Sequence, residues 1–260
     1  MTSTLLISTY NWPTALDLVL KSILMQSKLP NSITIADDGS KEETKLLIDS
    51  YRNKISIPIK HIWQEDNGFE KSKILNKAIK TITEDYIIQI DGDVILHKHF
   101  IKDHLKFAKK GIFLFGSRVS INKSFSAKVL NESILIFSWF NKNLLRKNRM
   151  LRLPIISFFN KAKSKNSRKL RGCNISYWTT DAKNINGYNQ DFKGWGFEDF
   201  DFAQRLVNNG VKAKRLKHIA IQFHIYHKTA PKGNTEIGNS IQLETHKSKT
   251  KKCKNGINQL

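Results

Sequence analysis

A chain of 260 residues with 40% apolar and 25% charged residues is long enough to bury a sizeable core and is not a wholly disordered polypeptide. Its 44 Lys and Arg against 22 Asp and Glu leave a formal charge of +22, which points to an anionic partner without choosing between nucleic acid, a membrane surface and phosphorylated small molecules. Two cysteines, Cys173 and Cys253, match no metal spacing and read as free thiols; with no basic leader and no apolar run long enough to span a bilayer, the expectation is a cytoplasmic chain that does not cross the membrane.

Along the chain, "TLLIS" predicts a buried strand, and beyond Pro13 the residues Leu16, Val19, Leu20, Ile23 and Leu24 recur at helical spacing. "SITIA" predicts a second strand ended by "DDGS", and "KEETKLLIDSYR" a second helix. "IKHIW" follows as a strand, "KSKILNKAIKTI" as a helix, "DYIIQI" as a strand ended by "DGD", "KHFIKDHLKFA" as a helix and "GIFLFG" as a strand. This succession implies an α/β fold with a mostly parallel, doubly wound sheet whose ligands gather at the C-terminal strand ends. Asp37, Asp38, Asp91 and Asp93 all fall there.

The pattern then changes. Between Asn122 and Arg171 stand thirteen Lys and Arg and one acid, Glu132, among apolar clusters broken by Pro154. One or two amphipathic basic helices are expected, packed over the active face or lying on an anionic membrane, with a solvated helical excursion as the alternative. "NISYW" resumes as a strand, "TTDAKNI" as a short helix and "EDFDFAQRLVNNG" as a helix ending on Gly210. The last thirty residues, rich in Lys, read as a mobile tail. The expected division is therefore 1–118, a basic insertion over 119–171, 172–228, and a basic tail over 229–260.

The acids define the chemistry. Asp91 and Asp93 flank a glycine, and residues two apart in an extended turn point the same way, so both carboxylates can face one hard cation or one hydroxylated ligand; a plain Asp-Gly turn is the alternative. In "DDGS", Asp38 can accept from a base or ribose, and Ser40 with Glu43 three residues on has the spacing of a capping box. In "FHIYH", His224 and His227 follow a strand-like run, and either can fill an open position of a cation held by carboxylates.

Taken in order, "LISTYN", "IADDGS", "GFEKSKILNKAI", "YIIQIDGD" and "GYNQDFKGWGFEDFDFAQRL" resemble family 2 nucleotide-sugar glycosyltransferases of the GT-A fold, with a C-terminal galactosyltransferase-type region over the last segment. The resemblance covers about residues 3 to 118 and 171 to 228. It implies inverting transfer from a UDP-sugar with Mn2+, or Mg2+, bridging the diphosphate. It places Thr9 and Tyr10 near the uracil, Asp38 on the base, Lys71 or Lys73 near the diphosphate, Asp91 on the ribose, and Asp93 with His224 on the metal. It makes Asp199 the catalytic base, gives Glu198 acceptor or donor-sugar hydroxyls, and stacks Trp195 on a sugar face. Two positions depart from the galactosyltransferase pattern: Phe197 stands where a glycine is usual, and Phe200 where another acid is.

The expected partners are a UDP-sugar, a saccharide or lipid-linked glycan acceptor of cell-surface polysaccharide or lipopolysaccharide, and an anionic membrane surface met peripherally from the cytoplasmic side. No recognisable nucleic-acid-binding motif is present, and the acids cluster where a phosphate backbone would approach, so nucleic acid is not an expected partner.

Overall fold

The first strand, β1 (Ser3–Thr9), is buried at all seven positions, the mark of a strand covered by helices on both faces. The computed structural model describes residues 1–192, 194, 196–228 and 235–260. After β1 come α1 (Pro13–Leu24), β2 (Ser32–Asp37), α2 (Glu42–Tyr51), β3 (Ile59–Trp63), α3 (Lys71–Thr81), β4 (Tyr86–Asp91), β5 (Val94–Leu96), α4 (Phe100–Phe107) and β6 (Ile112–Phe115). They are followed by β7 (Val119–Ile121), α5 (Lys123–Asn131), β8 (Leu144–Leu145), α6 (Pro154–Phe159), β9 (Ile175–Trp178), α7 (Thr179–Asn184), α8 (Glu198–Asn208), β10 (Lys212–Arg215), β11 (Gln222–His224) and α9 (Thr235–Lys247).

Seven strands form one sheet in the order β10-β6-β9-β4-β1-β2-β3, mostly parallel, with β9 antiparallel to both neighbours. Side chains alternate across it: Leu5 and Ile7 of β1 join Leu16, Val19, Ile48 and Phe100 on one face, while Leu6 joins Ile74, Leu75 and Ala78 on the other. A second, smaller sheet runs β5-β11-β7-β8. It matters because β11 lies antiparallel to β5, with His224 opposite Val94, and so returns the chain to the end of β4.

Three expectations fail locally. The tail is not a mobile extension where it is described: α9 packs on α8, and Ile257 enters the core beside α3. Its docking is polar, which composition does not reveal: Asn208 Nδ2 donates to the Thr245 and Thr250 carbonyls, and Thr245 Oγ1 donates to Asp201. The basic middle holds the short α5 and α6, a single 3-10 turn over Lys147–Arg149 and the two-residue β8, not long amphipathic helices. And Ser40 caps nothing: α2 begins after Lys41 without a side-chain cap, while Ser40 Oγ accepts from the Asn11 amide and ties the β2 turn to the start of α1.

Candidate active site

The parallel pairing of β1 with β4 sets Ser8 beside Asp91, whose Oδ1 accepts from Ser8 Oγ at 2.9 Å and from Lys71 Nζ at 2.7 Å. Lys71 is the first residue of α3, so helix position delivers its ammonium to the strand end. Burial pulls that ammonium's proton affinity down, but the charges of Asp91, Asp199 and Glu198 outweigh it and hold Lys71 protonated. Lys73 bonds Glu70 instead, at 2.9 Å. Of the two lysines, Lys71 is the one at the site.

Asp91 and Asp93 do not share partners. Asp93 Oδ2 lies 3.3 Å from His224 Nε2 and 3.1 Å from His227 Nε2, and the Ile225 amide donates to the Asp93 carbonyl. These three side chains bring one oxygen and two nitrogens within 4.8 Å of one another, and Asp91 is not in the group. Asp93 Oδ1 is buried with no partner among the described residues. Burial pushes the Asp93 carboxyl up, but hydrogen bonds from the two histidines outweigh it and hold it below the usual carboxylate range. The Lys228 carbonyl accepts a hydrogen bond from His227 Nδ1 at 2.8 Å, which leaves Nε2 turned to Asp93. The hydrogen bond to Asp93 raises the His227 imidazole's proton affinity against the effect of burial. A carboxylate with two imidazoles and an orphaned buried oxygen fits a divalent cation such as Mn2+. Both histidines reach Asp93, where the resemblance assigned only His224 to the metal.

Among the residues that the resemblance gives to the nucleotide, Asp38 is buried and already accepts from Gln64 Nε2 at 2.6 Å and from the Glu70 amide at 2.9 Å; burial outweighs these bonds and pushes its carboxyl up to about 6. Thr9 is buried at the end of β1, and Tyr10 is half exposed with its hydroxyl donating to Asp66 at 2.9 Å. Asp37 is occupied structurally, accepting from the Ser40 amide and pairing with His61 at 2.9 Å.

The second acidic group starts α8. Glu198, Asp199 and Asp201 fill its first turn, where the helix dipole favours negative charge. Asp199 Oδ2 accepts from the Gly172 amide at 2.9 Å, and Oδ1 is buried without a partner among the described residues. The approach is so close that a Cβ on Gly172 would lie 2.0 Å from Asp199 Oδ1, so a larger residue would displace the carboxylate. Burial raises Asp199, with Lys71 opposing, and burial together with the Asp199 charge pushes Glu198 up to about 7. Glu198 Oε2 accepts from the Gly196 amide at 2.9 Å. Asp201 faces away, in a buried ion pair with Arg205 at 2.8 Å. Trp195 lies outside the described residues.

Phe197, which precedes α8, has φ of +69°, the left-handed region that favours glycine. That is a physical reason for a glycine at this place in the galactosyltransferase pattern. Here the Phe197 ring lies against α9, 3.1 Å from where a Gly238 Cβ would sit.

Two contributors escaped the sequence reading. Gly172 stands in "RKLRGCN" with no motif around it, and Gln89, inside an apolar strand, joins the Tyr177 and Tyr188 hydroxyls and reaches the Gly172 carbonyl beneath Asp199. Only the odd polar residue in "YIIQID" hinted at the latter.

Comparison with known proteins gives two family matches: "Glycosyl transferase family 2" over residues 4–169, and "N-terminal domain of galactosyltransferase" over residues 154–228. The first runs through the basic middle, for which the motifs offered no counterpart. Chondroitin synthase of Pasteurella multocida is 24% identical over 265 residues, 94% of this chain but 27% of its own length. The chain thus spans about a quarter of that relative. Among solved structures, Staphylococcus aureus TarS 1–349 in complex with UDP-GlcNAc superposes with a TM-score of 0.63 at 20% identity, covering 88% of this chain and 59% of that one. A mannosyltransferase from Pyrobaculum calidifontis, in complex with GDP-Man and Mn2+, gives 0.60 at 15% identity, covering 95% and 63%. These likenesses establish the GT-A fold.

Proposed function

The chain belongs to glycosyl transferase family 2, and from that premise we propose that it is a metal-dependent, inverting transferase. It moves a hexose or N-acetylhexosamine from a UDP-sugar to a saccharide acceptor in cell-surface polysaccharide or lipopolysaccharide synthesis. The observation that carries the reading is two differently held acidic groups: Asp93 with two histidines, and Glu198 with Asp199, raised by burial beside Lys71. The UDP-GlcNAc bound by TarS and the polymer made by chondroitin synthase support the donor and acceptor classes.

In this reading Asp199 Oδ1 accepts the proton of the acceptor hydroxyl as its oxygen attacks the anomeric carbon; the new C–O bond forms as the bond to the UDP oxygen breaks, in one displacement without a covalent enzyme intermediate. The Gly172 amide holds the other oxygen of Asp199 and fixes its orientation. Glu198 binds acceptor or donor-sugar hydroxyls. Lys71 holds Asp91 Oδ1 for the ribose and places positive charge beside the diphosphate. A divalent cation held by Asp93, His224 and His227 would offset the negative charge that develops on the departing UDP. Screening a panel of UDP-sugars for Mn2+-dependent UDP release tests the proposal: release with at least one donor, stimulated by acceptor, is expected, and no release with any donor at any metal concentration contradicts it.

A further inference from the structure

The basic middle of the chain carries an apolar surface that the transferase chemistry does not use. In α6, Ile155, Phe158 and Phe159 are 66%, 57% and 80% exposed. Their i, i+3, i+4 spacing puts them on one helix face, the kind of face a soluble helix normally turns to its core. Here the core-facing residue is Ser157, fully buried with Oγ donating to the Lys217 carbonyl. The helix is held at both ends as well: the Leu153 amide donates to the His218 carbonyl and Asn160 Nδ2 to that of Arg215. Leu151 and Leu153, just before it, are also exposed.

Cations ring this face. Lys161, Lys163 and Lys165 follow it in sequence, the Lys106 ammonium stands 4.9 Å over the Phe158 ring, and that of Lys214 stands 4.8 Å over Phe107, the ring packed against Phe158. The stretch contains thirteen basic residues against one acid, so an occupant has to be both apolar and anionic. Topology gives the face its position. β10 is parallel to β6, and β6 is parallel to β4 through the intervening antiparallel β9, so residues 215–218, on which α6 rests, leave the sheet at the same end as Asp91.

We propose that this face is a peripheral docking surface for an anionic lipid bilayer, with Ile155, Phe158 and Phe159 entering the boundary between headgroups and acyl chains and the surrounding lysines meeting lipid phosphates. Charge complementarity with the basic ring selects the lipid surface, and the aliphatic and aromatic side chains supply the burial that phosphate contacts alone lack. A six-residue helix lies on the surface and does not span it, and no helix among the described residues is long and apolar enough to cross a membrane. Docked this way, the enzyme holds its catalytic end beside the bilayer.

The inference is independent of the transferase reading, because it is tested without any donor sugar. The full chain is sedimented with phosphatidylcholine vesicles, with and without phosphatidylglycerol. Binding to the phosphatidylglycerol vesicles is expected to be about tenfold or more tighter than to phosphatidylcholine alone and to weaken with salt. The variant Ile155→Ser/Phe158→Ser/Phe159→Ser should lose about tenfold or more of it while keeping the parent Tm and UDP affinity, and Lys161→Gln/Lys163→Gln/Lys165→Gln should lose a comparable amount. Equal binding to both vesicle types, or unchanged binding by the serine variant, overturns the proposal. So does self-association in solution that the serine variant abolishes without any vesicle binding by the parent, which gives the face to a second copy of the chain; salt-sensitive capture of single-stranded DNA in place of vesicles gives it to nucleic acid.

Discussion

Two groups of acids, Asp93 with its histidines and Glu198 with Asp199 beside Lys71, are treated in opposite ways by their surroundings. Asp93, beside His224 and His227, is held below the usual carboxylate range by hydrogen bonds that outweigh its burial. Glu198 and Asp199, buried next to each other with few donors, are pushed up. A carboxylate that stays ionised suits a cation, and one that readily takes a proton suits a base, so the opposite directions of the two groups support the proposed roles. Asp201, two residues from Asp199, shows that sequence proximity does not: its oxygens are taken by Arg205 and Thr245, and it belongs to the scaffold.

The sharpest way to break this comparison is to exchange the members' chemistry. Asp199→Asn removes the proton acceptor while keeping shape, and transfer should fall by about 10³-fold or more in a UDP-release assay. A fall of tenfold or less would move the base to Glu198. Asp93→Ala should cost about 10²-fold, from lost charge stabilisation in the departing diphosphate, and activity should no longer respond to Mn2+ titration. Retained Mn2+ stimulation would place the cation elsewhere.

A smaller effect sharpens the electrostatic link between Lys71 and the second group. Because Glu198 is pushed up to about 7, the rate should rise with pH through that region as the acidic pair loses its proton. Lys71 favours the ionised form of both Glu198 and Asp199, so Lys71→Met should move this limb to higher pH, by about one unit on the scale of neighbouring-charge effects, in kcat/KM profiles. A limb that stays in place would separate Lys71 from the acids. Asp201→Asn is expected to do least to the chemistry: it weakens a buried ion pair and lowers stability by about 1–3 kcal/mol in denaturant unfolding, with the pH profile unchanged.

How far the sequence foretold these regions follows from the range of the interactions involved. The sheet was legible because β1, β2, β4 and β6 are local apolar runs, the last three ended by an acid or glycine, and α1, α3 and α8 are periodic. Asp91, Asp93 and Asp199 were legible because short motifs hold them at strand and helix ends. His227 was not fixed as a partner of Asp93, since β5–β11 pairing joins residues more than a hundred positions apart. Gly172 was invisible because its requirement is a close approach by a side chain from α8. The tail misled because α9 docks through Asn208, Thr245 and backbone carbonyls, and a lysine-rich stretch advertises none of these. In the basic middle, the apolar clusters suggested amphipathic helices, whereas Pro154 and the interspersed asparagines leave only α5 and α6.

The division of labour is tested most directly by calorimetric titration of UDP, with and without Mn2+, into Asp199→Asn and Asp93→Asn side by side. The account predicts that Asp199→Asn keeps the parent's Mn2+-promoted UDP affinity and that Asp93→Asn loses the promotion. Loss of that promotion in Asp199→Asn, or its survival in Asp93→Asn, would contradict it.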